Sequence, residues 1–220
     1  DLELPNTGDY KTMPVGDTQV IVVRDEHSNV NAMVNRCAHR GNLVCIEDRG
    51  NLDCLTCVYH NWTYDLEGNL ATIAFERGIQ GNGGMAEDFD KSCHALQRLR
   101  VETYCGMVFG TFSDEVPALP DYFGPEMCGN IQRVLGRDME LLGRFQHGLD
   151  GNWKLYMENV RDTYHATLLH SFMTTFRLNR LSMKGAVEVS EGGLHHLTYS
   201  IRSKDDDQGQ YNAKEIRAQK

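Results

Sequence analysis

Residues 18–34, TQVIVVRDEHSNVNAMV, set two runs rich in β-branched residues on either side of a polar stretch at His27, Ser28 and Asn29, the pattern of a hairpin. Its second strand leads directly to Cys37. NLDCLTCVYH and WTYDLEGNL read as strand-flanked segments with Glu67-Gly68-Asn69 as the turn that follows. Residues 78–91 are Gly-rich and polar and predict a surface loop, and LQRLRVETYCGMVFGTF (96–112) returns to strand character. Three prolines then fall within nine residues (117–125), and this shift marks a domain boundary, giving predicted domains 1–115 and 116–220. Beyond it, MELLGRFQHGLDGNWKL predicts strand and turn. YMENVRDTYHATLLHSFM predicts one helix with Leu168, Leu169 and Phe172 as its apolar face, and AVEVSEGGLHHLTYSIRS predicts a strand pair about Glu-Gly-Gly. The expected fold class is α+β, a β-rich domain followed by the start of a mixed domain with an antiparallel sheet.

A chain of 220 residues with 40% hydrophobic content can bury a real core. It holds no apolar run of the roughly 18 residues a membrane span needs and no secretory segment, which predicts a soluble, cytoplasmic protein. A net charge of −9 argues against a nucleic-acid partner. The charge run KDDD (204–207) predicts a solvated loop, and the absence of an initiator Met with a polar closing segment predicts cut ends. Seven cysteines, an odd count in a chain of this size, fit reduced thiols better than a disulfide framework.

Some of those thiols have the spacing of ligands. Cys37, His39, Cys57 and His60 form C-x-H-x17-C-x2-H, two thiolates and two imidazoles on two loops. A tetrahedral zinc accepts that set, and so does a two-iron, two-sulfide cluster with both cysteines on one iron and both histidines on the other. Zinc loops commonly repeat one ligand type. Here each loop mixes the two, which lets each loop reach both irons of a cluster. The other cysteines, 45, 54, 93, 105 and 128, are expected to be small buried or half-buried thiols.

A second constellation, ENVRDTYHATLLH, holds Asn159, Asp162, His165 and His170. On one helix Asp162 and His165 would share a face, so that the carboxylate could accept the ring N–H of a metal-bound His165. His165 and His170 would stand about 140° apart, poor for chelation. Joint binding of one ion therefore requires a π-bulge or a helix end near Thr167.

The strings CAHRG and CVYHNWTYDLEGNL, followed by GNWKLYMEN and D-x-Y-H-x4-H, resemble the large subunits of Rieske-type non-haem iron aromatic ring-hydroxylating oxygenases. Val58 and Asn61 depart from the Pro and Gly common in that family. The resemblance implies a Rieske [2Fe-2S] domain followed by a helix-grip-like catalytic domain. It makes Cys37, His39, Cys57 and His60 the cluster ligands and His165 and His170 two arms of a 2-His-1-carboxylate site for mononuclear Fe(II). It also makes Asp162 the bridge towards a cluster, and Asn159 a lining residue. The third, carboxylate ligand is expected beyond residue 220; Asp205 to Asp207 have no matching context. The same resemblance implies electrons from NAD(P)H through a separate reductase, sometimes with a ferredoxin. It further implies O2 and an aromatic substrate, and a trimer, with or without small β subunits, in which His60 of one chain meets Asp162 of the next. Either His39 or His60 could touch a redox partner.

RDTYHATLLHSFMTTFRLNRL looks closer to the branch acting on aromatic carboxylates such as anthranilate, salicylate, terephthalate and benzoate. A carboxylate substrate suits an arginine fork, for which Arg161, Arg177 and Arg180 are candidates beside their plainer reading as salt-bridge residues. A stand-alone Rieske ferredoxin, needing only residues up to about 115, and a monohydroxylating enzyme are the competing readings.

Overall fold

The computed structural model describes residues 2–145, 147–176, 178–179 and 183–202. These form two compact units, one from the described residues up to 122 and 132–142, the other from 123–131 and the described residues from 143 to 202.

The first unit is organised by the alternation of its second strand. Its main sheet joins β1 (Asp9–Val15), β2 (Thr18–Arg24), β3 (Val30–Val34) and β4 (Arg49–Asn51) in the antiparallel order β3-β2-β1-β4. On β2, Ile21 and Val23 turn into a core with Tyr10, Met33, Leu55 and Tyr64, while Val20 and Val22 pack on the opposite face with Ala32 and Leu99. A strand buried on both faces reads as a nearly continuous apolar run, which QVIVV is. A smaller antiparallel sheet of β5 (Leu55–Thr56), β6 (Thr63–Tyr64) and β7 (Leu70–Thr72) closes the first core. The hairpin of β8 (Arg100–Tyr104) and β9 (Met107–Thr111) turns at Cys105 and Gly106, both with positive φ.

Two turns in this unit share one construction. In Asp25–Asn29 the Asp25 Oδ1 accepts from the backbone N–H groups of His27 and Asn29, each at 2.8 Å. In Asp65–Asn69 the Asp65 Oδ1 accepts from those of Glu67 (3.0 Å) and Asn69 (2.8 Å). The fourth residue of each turn, Ser28 or Gly68, takes positive φ. Burial works to raise the Asp25 pKa, but hydrogen bonds from Asn31, Asn29 and His27 outweigh it and hold the carboxyl below the ordinary range.

Helix α1 (Leu119–Leu135) consists of two helical pieces joined at Gly124, with Pro120 in its first turn and Pro125 just past the joint. Glu102 Oε2 accepts from the Leu119 N–H at its start, 2.9 Å away. In the second unit α2 (Trp153–Arg161), α3 (Ala166–Leu169) and α4 (Ser171–Thr175) precede an antiparallel pair, β10 (Lys184–Val189) and β11 (His196–Ile201).

The α+β class and the two predicted hairpins at 18–34 and 186–203 match this architecture. Other expectations need correction. β1 and α1 were not predicted. Among the described residues between 139 and 152 no strand forms, and Trp153 opens α2 instead. The single helix expected over 156–173 is three helices. Leu168, Leu169 and Phe172 are exposed rather than a packed face, and Cys54 and Cys93 are exposed rather than buried. KDDD, Arg177 and Arg180 lie outside the described residues.

Candidate metal centres

The two Cys/His loops are built alike. In Cys37–Asn42 the Cys37 carbonyl accepts from the Gly41 N–H (2.9 Å) and the Cys37 N–H donates to the Asn42 carbonyl (2.8 Å). In Cys57–Trp62 the Cys57 carbonyl accepts from the Asn61 N–H (2.9 Å) and the Cys57 N–H donates to the Trp62 carbonyl (2.9 Å). The fifth residue of each loop sits in the left-handed region, Gly41 at φ 73° and Asn61 at φ 53°. This explains the Asn where a Gly was the expected type, because Asn tolerates that conformation better than most side chains.

Strand β3 delivers the first loop, and β5 and β6 hold the second. Cys37 and Cys57 are buried, 4% and 1% exposed, and no disulfide ties them. Asn35 locks the stretch after the first loop: its Oδ1 accepts from Val44 N–H (2.8 Å) and Cys45 N–H (2.9 Å), and its Nδ2 donates to the Cys45 carbonyl (2.7 Å). The two imidazoles come together. His39 and His60 have ring centroids 4.5 Å apart at 70°, and His39 stacks on Trp62 at 4.9 Å with planes 7° apart. Trp62 is buttressed edge-on by Phe89 and His94. Burial, then the His60 ring and Arg40, hold the His39 pKa below the usual imidazole range.

At the cysteine end the Tyr64 hydroxyl lies 3.2 Å from Cys37 Sγ and accepts from the Ala38 N–H at 3.0 Å. Burial, followed by the Cys37 hydrogen bond, raises its pKa. Cys45, also buried, has its thiol pKa pushed up to about 11 and remains an inert core residue. Two buried thiols and two imidazoles in ring contact form a donor set that suits a cluster with unlike irons.

In the second unit the chain breaks where the two histidines require it. Asp162 caps the end of α2, and its Oδ1 accepts from the backbone N–H groups of Tyr164 (2.7 Å) and His165 (3.3 Å). His165 starts α3, and His170 ends it at φ −100°, ψ 89° before α4 begins. That break brings the two rings to 5.1 Å between centroids. Asp162 and His165 thus meet across a turn, not along a helix face. The Tyr164 N–H, against a smaller opposing effect of burial, lowers the Asp162 pKa, and the His165 N–H adds to it.

His165 Nδ1 is 3.3 Å from Asp162 Oδ2, within ion-pair range but not aligned as a hydrogen bond, and this nitrogen is buried without a hydrogen-bond partner. It lines a cavity of about 460 Å³ with Asn159, Asp162 and His170. An orphaned ring nitrogen beside a second imidazole fits two arms of a ferrous site. Among the described residues no three His, Cys, Asp or Glu side chains gather about a single point. Arg161, proposed for a substrate carboxylate, is engaged by Glu158 at 3.6 Å and His196 at 3.4 Å. A cavity of about 970 Å³ lies on the far side of the main sheet under Val20, Val22 and Ala32, and is largely apolar.

Sequence reasoning missed Tyr64, Trp62, Asn35 and His94. Tyr64 and Trp62 lie inside the quoted motif, so their positions were visible although their contacts were not.

Residues 1–81 match the Rieske family, described as a Rieske [2Fe-2S] domain. The chain is 49% identical over 216 residues to the terephthalate 1,2-dioxygenase terminal oxygenase component subunit alpha 2 of Comamonas sp., covering 98% of this chain and 52% of that protein. The chain is a relative of the Rieske-type oxygenase large subunits. It is 47% identical over 219 residues to the anthranilate 1,2-dioxygenase large subunit of Burkholderia cepacia, covering 99% of this chain and 52% of the relative. A quaternary ammonium Rieske monooxygenase crystal structure superposes with TM-score 0.76 at 26% identity, over 93% of this chain and 54% of that one. The chain thus spans about half the length of the Rieske oxygenase subunits it matches. A zinc module is set aside by the [2Fe-2S] family match, and a stand-alone ferredoxin by relatives that match well past residue 115. No helix among the described residues is long and apolar enough to cross a membrane.

Proposed function

We propose that this chain is part of a terminal oxygenase component that hydroxylates the ring of an aromatic carboxylic acid with O2. The observation that carries this reading is the presence, on one chain, of two matched Cys/His loops and a broken helix that pairs His165 with His170. When bound, a [2Fe-2S] cluster supplies single electrons and a mononuclear ferrous ion supplies open positions for dioxygen. Cys37 and Cys57 hold one iron of the cluster, and His39 and His60 the other. Trp62 fixes the His39 ring plane. His165 and His170 hold the mononuclear ion, with a carboxylate supplied from outside the described residues.

Asp162 holds the His165 backbone through its N–H and faces the ring nitrogen at 3.3 Å. In an oligomer, which we read as a trimer, it would serve as the bridge towards His60 of a neighbouring copy. Asn159 lines the cavity in which the substrate sits. Residues 1–115 are the electron-receiving domain and 116–220 begin the catalytic one. A reductase using NAD(P)H, with or without a ferredoxin, supplies electrons, and a small β subunit is expected because the Comamonas relative is an alpha subunit.

The substrate class rests on the terephthalate and anthranilate relatives. The complete subunit, loaded with iron and given a reductase and a panel of aromatic acids, should release cis-diols or phenols from at least one acid. Consumption of O2 with no oxygenated acid from any of them would reject the assignment.

A further inference from the structure

We propose that Phe89 and His94 are positioning residues for the iron ligand His39, acting through Trp62: they hold the indole still, and the indole fixes the plane of the imidazole. This rests on the assignment of Cys37, His39, Cys57 and His60 as the cluster's ligands.

The two histidines are unequally supported. His39 lies flat on Trp62, which is 4% exposed, whereas His60 meets Tyr59 at a 34° tilt and Tyr59 is 59% exposed. A stacked neighbour constrains a ring only as far as that neighbour is itself held. Within its own loop the Trp62 carbonyl accepts from the Cys57 N–H, which fixes the backbone but leaves the indole its side-chain rotations. Rings from another segment remove that freedom. Phe89 meets the indole at 6.0 Å and 83°, His94 meets it at 5.6 Å and 73°, and the two stack on each other at 4.5 Å. Near-perpendicular contact at such distances is a favoured arrangement of aromatic rings, so none of the three turns without breaking a contact with both others.

The bracing segment is tied down in turn. Asp90 Oδ1 accepts from the Ser92 N–H (2.9 Å) at the start of the helical turn Lys91–His94. His94 Nδ1 lies 2.9 Å from the Asp90 carbonyl, which can only accept, so this nitrogen carries hydrogen and the ring is oriented. Lys91 Nζ donates to the Ala71 carbonyl on β7 (3.1 Å) and pairs with Glu76 (3.2 Å). The Leu96 N–H donates to the Gly68 carbonyl (2.8 Å), and Leu96 is buried in the core that contains Trp62. Phe89 packs half-buried against that same core. Residues 89–96 thus belong to neither Cys/His loop, yet they are fastened to the sheet that carries the second.

An imidazole bound to iron is free to turn about the iron–nitrogen bond unless its surroundings prevent it. A ring kept in one plane holds the same geometry before and after the centre accepts an electron, so little nuclear motion accompanies the transfer. Phe89 and His94 serve this end without touching iron, substrate or dioxygen.

The test uses the full-length, iron-loaded protein reduced by one electron, whose [2Fe-2S] centre is paramagnetic. Electron spin resonance reads a spread of ligand geometries as line width, and the couplings to the histidine nitrogens as sharp or smeared. Phe89→Ala with His94→Ala should keep cluster iron and sulfide but broaden the lines and smear one histidine coupling. Loss of the cluster to a chelator should be about tenfold faster, as for a ligand that has lost its orienting neighbour. His94→Phe, which keeps a ring in place, should show the narrow lines of the wild type. Phe75→Leu, which removes an exposed ring from the same cavity rim, should show them too. Unbroadened lines in the double variant overturn the proposal whatever the rate of cluster loss, and so does equal broadening in Phe75→Leu. Should the double variant fail to hold a cluster, Phe89→Leu and His94→Leu are read singly, and narrow lines in both overturn it. Failure of the ligand assignment looks different: the wild-type protein would then give no [2Fe-2S] signal at all.

Discussion

The two candidate centres differ in how much of their surroundings the chain supplies. Every buried apolar residue of the described chain except Phe123 belongs to the first unit, and the core containing Cys37 and Cys57 includes residues from three strands of the main sheet and all of the smaller one. The second unit leaves Trp153, Leu155, Leu169 and Phe172 exposed, and its two histidines sit on helices of four and five residues or at their ends. The first centre is positioned by a packed core and by backbone bonds inside each loop. The second is positioned by local turns, with α2 tied to β11 by only the exposed Arg161–His196 and Thr198–Val160 contacts among the hydrogen bonds described. The lesson is that ligand residues close in sequence do not make equally finished sites: core packing gives the accuracy, and spacing gives only the candidates.

Separating the two centres by mutation sharpens this contrast. Cys57→Ser removes a buried ligand, so cluster iron and sulfide per chain should fall about tenfold or more and the red-brown absorbance should disappear. Elemental analysis and the visible spectrum read this. His165→Ala should do the converse, taking the iron content from about three per chain to about two while the [2Fe-2S] spectrum is unchanged; loss of the visible bands in that variant would break the separation. Asp162→Asn should keep both metals yet lower product formation about 10- to 100-fold, the usual cost of losing a residue that orients a ligand.

Two further substitutions probe the first unit's frame. Asp25→Ala strips the Asp25–Asn29 turn of its acceptor and should cost about 1–3 kcal/mol at neutral pH, read by denaturant melts. Because the Asp25 pKa is depressed on folding, its contribution is complete above the ordinary carboxyl value of 3.8 and disappears as pH falls through the lower folded value. The gap between variant and wild type should therefore close in acid. The smallest effects belong to the matched loops: Gly41→Ala should lower stability by about 1–2 kcal/mol, and Asn61→Gly should be neutral or slightly stabilising.

Much of the first unit was legible because its strands are short apolar runs rich in β-branched residues, as in TQVIVV and VNAMV, and because Ser28 and Gly68 sit where turns need them. β1, DYKTMPV, escaped notice since its burial is slight and Pro14 interrupts the pattern. α1 was hidden by a rule applied in the wrong sense: Pro117 and Pro120 read as a boundary, yet a proline in the first turn of a helix loses no hydrogen bond, and the break at Gly124 is followed by a second helical piece that Pro125 can open. The helix over 156–173 was over-read because apolar periodicity is blind to Asp162, whose carboxylate captures the N–H groups of Tyr164 and His165 and stops the helix. The helix end expected near Thr167 does not form there: Ala166–Leu169 is helical, and the chain leaves the helix only at His170. Aromatic contacts such as His39 on Trp62 depend on side chains converging from separate loops, which no spacing rule encodes.

The hydrogen bonds that shape Cys37–Asn42 and Cys57–Trp62 run from one backbone group to another inside the same short loop. Side-chain changes at the exposed loop positions Arg40 and Tyr59, which take no part in those backbone bonds, should then leave the outline of each loop intact.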